Sequence, residues 1–161
     1  IVPLVIHAYG LKPIFVDVLP GSCNMNPDQI EAKITPRTRA ILATHMYGQP
    51  CDMERVSAIA KAHQLFVLED CAHALGTRYG DQRVGAIGDI GLFTFALAKN
   101  MPCFGGGMIT AKDDGIHQKL MGMIQPPTDS HRKGLRKELR DYTASTPPHV
   151  AAARNGDGFL R

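Results

Sequence analysis

Short runs of apolar and β-branched residues alternate with stretches of helical periodicity along this chain, and that alternation limits the folds open to it. Helices are predicted from Asn26 to about residue 34, from the cap Asp52 onward, and over 115–124. The strand-like runs are 14–18, 40–45, 65–68, 91–95 and 107–110. This order predicts an α/β fold with three α/β/α layers and a mainly parallel sheet. The last strand is expected to be antiparallel, because it returns directly through the glycine turn 105–107.

The chain of 161 residues is long enough for one domain with a core. Residues 1–125 are predicted to be that domain. Residues 126–161 are predicted to be a basic, proline-containing tail, helical at 131–142 and otherwise disordered. The basic face of 131–142 is read as a solvated surface in preference to an anion-binding one.

Composition and charge narrow the range of functions. A net charge of +3 and the lack of a basic stripe with interleaved aromatics argue against nucleic-acid binding. No apolar run approaches the length of a membrane helix, and residues 1–6 carry no secretory signal. The four cysteines show no metal-ligand spacing, so no metal site is predicted and free thiols in a cytoplasmic protein are expected.

Two residues carry the first hint of chemistry. Asp70 ends one strand-like run, and Lys99 follows another. A lysine amine can form a Schiff base with pyridoxal phosphate, and a carboxylate can hold the pyridine nitrogen protonated. Each has an ordinary alternative, since an acid at a strand end often caps a helix and most lysines are surface charges. The pair therefore forms a hypothesis that needs further support.

The residues around this pair supply that support. Between them and before them lie the segments ITPRTRA at 34–40, HMYGQPCDM at 45–53, LEDCAHALG at 68–76, VGAIGD at 84–89, FTF at 93–95 and KN at 99–100. In this order they resemble the DegT/StrS-type sugar aminotransferases, which are pyridoxal phosphate enzymes of fold type I. The resemblance runs from about residue 1 to residue 114, and it implies that this chain is part of the cofactor-binding large domain.

The resemblance also implies roles for individual residues. Lys99 would be the Schiff-base lysine and the proton carrier, and Asp70 would pair with the pyridine nitrogen. His73 would lie near the phenolate oxygen, and the Thr94 hydroxyl would bind the cofactor phosphate. A packed helix histidine and an ordinary strand threonine are the alternatives for these two. Further candidates for the pocket are His45, Tyr47 and Asn100, although packing or loop roles are equally open for the first two.

The implied reaction moves an amino group from an amino acid, commonly glutamate, to a keto-sugar nucleotide in a homodimer. The glycine turn at 105–107 is shorter than the family's and lacks its acid. The chain also lacks the family's N-terminal phosphate-binding segment and C-terminal domain, so weakened activity is expected. One alternative is a non-catalytic binding or regulatory module. The other is a sugar dehydratase, which Lys99 disfavours because that branch carries a histidine at this place.

Overall fold

The computed structural model describes residues 1–96, 98–103 and 105–124, together with residues 133, 134, 136 and 137. The predicted tail helix at 131–142 and the predicted disorder after it fall almost entirely outside this part of the chain, so both stay predictions. No helix within the described part is long and apolar enough to cross a membrane.

Six strands and three helices make up the described fold. The strands are β1 Ala40–Thr44, β2 Phe66–Asp70, β3 Arg78–Tyr79, β4 Gln82–Arg83, β5 Ile90–Thr94 and β6 Gly107–Ala111. The helices are α1 Val2–Ala8, α2 Met53–Ala62 and α3 Asp114–Met123. Short 3-10 turns lie at Pro27–Gln29, Glu31–Lys33 and Met46–Gly48.

The main sheet has the strand order β1-β2-β5-β6. The first three strands pair in parallel, and β6 pairs antiparallel with β5. The mainly parallel α/β fold and the antiparallel return through the glycine turn are both confirmed. Because β1, β2 and β5 are parallel, their carboxyl ends meet at one edge of the sheet, where open α/β sheets place functional groups.

Helix α2 builds the core against one face of this sheet. Its buried stripe of Met53, Val56 and Ala60 packs with buried residues of β1 and β2, among them Ile41 and Val67. The predicted cap is confirmed, because the Asp52 side chain accepts a hydrogen bond from the backbone N–H of Arg55 at 3.2 Å. Each fully buried aliphatic side chain here contributes about 1.5–3 kcal/mol of transfer free energy.

Burial alternates along β1 and β2, and the second face of the sheet is less covered. Leu42, Leu68, Ile90 and Leu92 of that face are half-buried, and Phe66 is 56% exposed. The pairing register places Asp70 on this second face, because residues directly opposite each other point to the same side. Asp70 therefore shares its surface with apolar side chains.

Two predicted elements are wrong. Residues 14–18 are not a strand, and only Val18 forms an isolated bridge with Met25. Residues 14–18 have the side chains of a strand, but they do not lie beside a strand of the main sheet with which they could pair. Residues 26–34 form two 3-10 turns in place of a helix, although Asn26 does cap the first by accepting from the N–H of Asp28 at 3.0 Å.

Candidate active site

All the sequence-predicted side chains except His45 lie at the carboxyl edge of the parallel strands. Asp70 is the last residue of β2, and Thr94 is the last residue of β5. Tyr47 lies in the 3-10 turn that follows β1. In the β2–β5 register Asp70 is paired with Leu92, so Thr94 lies two residues further along the same face. Three neighbouring strands thus deliver candidate groups to one edge.

Lys99 and His73 meet directly. The distance from Lys99 Nζ to His73 Nε2 is 2.9 Å, and both residues are half-buried. Lys99 is held in a turn by its backbone N–H, which donates to the Ala96 carbonyl at 3.0 Å. His73 also lies in a turn after β2, which excludes the packed helix histidine considered from the sequence.

Asp70 is oriented by its own loop. Its Oδ1 accepts a hydrogen bond from the N–H of Ala72 at 3.0 Å, which fixes the carboxylate against the turn that carries His73. The N–H of Cys71, the residue directly after Asp70, donates to the Leu92 carbonyl of β5 at 2.8 Å. The carboxylate and the imidazole are therefore carried by one anchored turn beside β5.

The remaining candidates differ in exposure. Thr94 is half-buried at the end of β5, and Asn100 is exposed next to Lys99. Tyr47 is 72% exposed, and its ring stands edge-on to the His73 ring with 5.8 Å between the centroids. Tyr47 is thereby part of the surface that surrounds the Lys99–His73 contact.

His45 lies elsewhere, in a buried hydrogen-bond network. Its side chain has no exposed surface, its Nδ1 accepts from the N–H of Cys51, and its Nε2 lies 3.0 Å from Glu69 Oε2. Because Nδ1 is an acceptor, Nε2 carries the ring proton and donates the hydrogen bond to Glu69. The sequence left a pocket role and a packing role open for His45, and these buried contacts fit the packing role.

Glu69 is the centre of that network. Its Oε2 also accepts from Gly85 N–H at 2.8 Å, and its Oε1 accepts from the N–H groups of Ile87 and Gly88 at 2.8 and 2.6 Å. Burial acts to raise the pKa of this carboxyl, but the bonds from His45 and the three backbone N–H groups together lower it below its ordinary value. Glu69 is thus a charged, fully bonded carboxylate in the core.

The ligand atoms of His45, Glu69 and Cys71 lie within 4.8 Å of one another, as metal ligands do. The donor set does not suit a cation, however. Both nitrogens of His45 and both oxygens of Glu69 are already occupied by hydrogen bonds, and burial raises the pKa of Cys71 to about 12. We interpret the cluster as a structural network.

Glu69 was not among the residues to which the sequence pattern gave a role. The signal was its place next to Asp70: with a period of two along a strand, one of two adjacent acids must face the core. Asn24 was also missed, although it is buried and bonds the loop after β1 at three points. No local pattern marks Asn24, because its partners lie more than twenty residues away.

Comparison with known proteins identifies the family. The DegT/DnrJ/EryC1/StrS aminotransferase family matches residues 3–145. This chain belongs to that family. The match extends beyond residue 125, where the sequence predicts the end of the domain. The family's aminotransferases depend on pyridoxal phosphate, the cofactor expected from the resemblance.

Individual relatives agree with the assignment. The chain is 45% identical over 111 residues to a protein named pleiotropic regulatory protein from Geobacillus stearothermophilus, covering 68% of this chain and 30% of that protein. It is 46% identical over 115 residues to UDP-N-acetyl-3-dehydro-alpha-D-glucosamine 3-aminotransferase from Acidithiobacillus ferrooxidans, covering 71% and 31%. The chain therefore spans about a third of the length of these relatives.

A solved structure resembles this chain over most of its length. NtdA from Bacillus subtilis, with its bound cofactor PMP, matches with a TM-score of 0.67 at 33% identity, over 72% of this chain and 26% of NtdA. The fold of this chain thus corresponds to part of the fold of NtdA.

Proposed function

We propose that this chain supplies the pyridoxal phosphate site of a sugar aminotransferase, with Lys99 as the residue that links to the cofactor. The observation that carries the proposal is the 2.9 Å contact between Lys99 Nζ and His73 Nε2, at the sheet edge that also presents Asp70. An amine, an imidazole, a carboxylate and a hydroxyl at one edge are the groups that this cofactor uses.

The residues of this chain fit that cofactor. Asp70 would hold the pyridine nitrogen protonated, with its orientation fixed by Ala72 N–H. Thr94 would donate its hydroxyl to the phosphate, and His73 would contact the phenolate oxygen. When bound, the cofactor supplies an electron sink for the carbon that carries the amino group. Tyr47 and Asn100 would line the space above these groups.

Proton transfer is the task of the Lys99 side chain. As an ammonium group Lys99 donates a hydrogen bond to His73 Nε2, and this bond keeps Nζ in one position beside the imidazole. With the cofactor bound, the Lys99 amine would accept a proton from the substrate and return it, and the His73 contact would hold Nζ in place for both transfers.

For the whole protein we propose transfer of an amino group from an amino acid such as glutamate to a keto-sugar nucleotide. The named relative that acts on a UDP-linked sugar supports this class of acceptor. We also propose that the protein acts as a homodimer in the cytoplasm, as the resemblance implies.

A covalent labelling experiment tests the cofactor site. The purified chain is mixed with pyridoxal phosphate, reduced with borohydride and digested, and the labelled peptide is identified by mass spectrometry. We expect a visible absorption band and labelling at Lys99. The matched control is Lys61→Ala, which removes an exposed lysine of α2 and should leave the labelling unchanged. No band, or equal labelling of Lys99→Ala, would contradict the proposal.

A second candidate function is regulation. The observation that favours it is the 45% identity to a relative named as a pleiotropic regulatory protein. The same experiment separates the two functions, because a regulatory module without a cofactor site has no reason to label selectively at Lys99.

A further inference from the structure

Tyr47 has an unusual backbone conformation. Its φ of 52° and ψ of 35° lie in the left-handed region, which bulky L-residues rarely adopt. Its side chain is 72% exposed, so burial of the ring does not explain why a tyrosine stands there. Strained residues of this kind persist where surrounding contacts fix them, and they cluster at functional sites.

Asn24 fixes the loop on both sides of Tyr47. The Asn24 side chain accepts from the N–H of Met46 at 2.9 Å and donates to the carbonyls of Gln49 and Pro50 at 3.0 Å each. Asn24 is itself only 4% exposed. One buried amide therefore closes the loop that carries Tyr47.

Two more bonds tie this loop to its surroundings. Thr77 Oγ1 donates to the Gly48 carbonyl at 3.1 Å, which links the loop to the turn after β2. At the end of the loop, Cys51 N–H donates to His45 Nδ1 at 3.0 Å. The loop is thus held by five hydrogen bonds around a residue whose own conformation is unfavourable.

The fixed Tyr47 ring meets the group that contacts Lys99. Its plane makes an angle of 76° with the His73 ring at a centroid distance of 5.8 Å, an edge-to-face pair. The Nε2 atom of the same imidazole lies 2.9 Å from Lys99 Nζ. The His73 ring thus contacts both Tyr47 and Lys99, and its orientation affects both contacts.

We propose that Tyr47 is a positioning residue for His73, and that the strained loop exists to hold the Tyr47 ring against that imidazole. The ring selects the His73 orientation in which Nε2 faces the Lys99 amine. This inference deepens the proposed function and rests on it for its consequence, the rate at which Lys99 links to pyridoxal phosphate.

Three variants test this role. Tyr47→Gly removes the ring and suits the left-handed backbone, so the loop is not expected to unfold. Tyr47→Phe keeps the ring and loses only the hydroxyl. Gln64→Gly is the matched control, because Gln64 also has a positive φ, of 55°, and lies just after α2. It relieves the same kind of backbone strain without removing a neighbour of His73.

Two measurements are made on each variant. The first is the rate of borohydride-trapped labelling at Lys99 by pyridoxal phosphate. The second is the nuclear Overhauser effect between the His73 ring proton Hε1 and the Lys99 side chain without cofactor, with the His73 signal assigned by its loss in His73→Gln. We expect Tyr47→Gly to slow labelling by about 2- to 12-fold, which is the rate equivalent of an aromatic pair worth ~0.5–1.5 kcal/mol. The Overhauser effect should weaken in the same variant, because the imidazole no longer holds Nε2 toward the Lys99 amine.

Gln64→Gly should match the wild type in both measurements, and Tyr47→Phe should lie closer to the wild type than Tyr47→Gly does. An unchanged labelling rate and an unchanged Overhauser effect in Tyr47→Gly would overturn the proposal, as would an equal loss in Tyr47→Phe. If the wild-type chain shows no labelling at Lys99, the proposed function fails. The Overhauser effect then decides alone whether Tyr47 positions the imidazole.

Discussion

Replacing Glu69 with glutamine should destabilise the fold severely, although the two side chains have nearly the same shape. Each Glu69 oxygen accepts two hydrogen bonds, one pair from His45 and Gly85 and the other from Ile87 and Gly88. Whichever oxygen the glutamine NH₂ replaces, it faces two N–H donors. His45 cannot adapt by moving its proton to Nδ1, because that atom accepts from Cys51 N–H.

The size of the effect follows from that count. Two buried donors lose their acceptor, at about 1–3 kcal/mol each, so Glu69→Gln should lower the free energy of unfolding by about 2–6 kcal/mol. A typical domain has only about 5–15 kcal/mol in total. Urea unfolding followed by circular dichroism measures the change. Glu54→Gln, an exposed carboxylate in the first turn of α2, is the control, with an expected loss below about 1 kcal/mol.

The difference between wild type and Glu69→Gln should also depend on pH. The folded pKa of Glu69 is lowered, so its contribution is fully present above the ordinary value of 4.5 and is lost as the pH falls through the lower folded value. The gap between the two unfolding curves should therefore narrow in acid. A loss no larger than that of Glu54→Gln at neutral pH would refute the reasoning.

Two further predictions concern the core around this network. Gly85→Ala should lower the free energy of unfolding by about 2–5 kcal/mol, because Gly85 has a φ of +85° and an added Cβ would overlap the Phe93 ring. Gly80→Ala is the control: Gly80 has a φ of +56° but open space around it, so the free energy of unfolding should fall by less in the same urea assay. Cys51 and Cys71 should resist a thiol reagent at pH 8, because burial raises their pKa values to about 11 and 12, whereas the exposed Cys23 and Cys103 should react. Four rapidly labelled cysteines in the mass spectrum of the folded protein would contradict this prediction.

Local patterns were sufficient for much of the fold. The runs at 40–45, 91–95 and 107–110 became β1, β5 and β6, and Asp52 capped α2 as predicted. These elements are specified by adjacent residues, through side-chain periodicity and a capping oxygen. The run at 14–18 carries the same strand composition and fails, because a strand needs a partner that composition cannot supply.

The site was less accessible to sequence reasoning from the residues alone. Lys99 and His73 are 26 residues apart, and their contact depends on the path between β2 and β5. The family resemblance selected both residues, but it did not predict that they touch. The loop around Tyr47 could not be anticipated either, since its strain is imposed by Asn24 and Thr77 from distant parts of the chain.

The antiparallel pairing of β5 with β6 has a consequence for how the site forms in time. Lys99 lies in the connection of this hairpin, and Phe95 N–H already bonds the Gly106 carbonyl at its base. Hairpins form in about 1–10 μs, whereas parallel pairing must first close a longer loop and is slower. The strand that ends in Asp70 and leads into the His73 turn joins this hairpin through the parallel pairing of β2 with β5. During folding the amine should therefore be in place first, and the arrival of β2 with Asp70 and His73 completes the site.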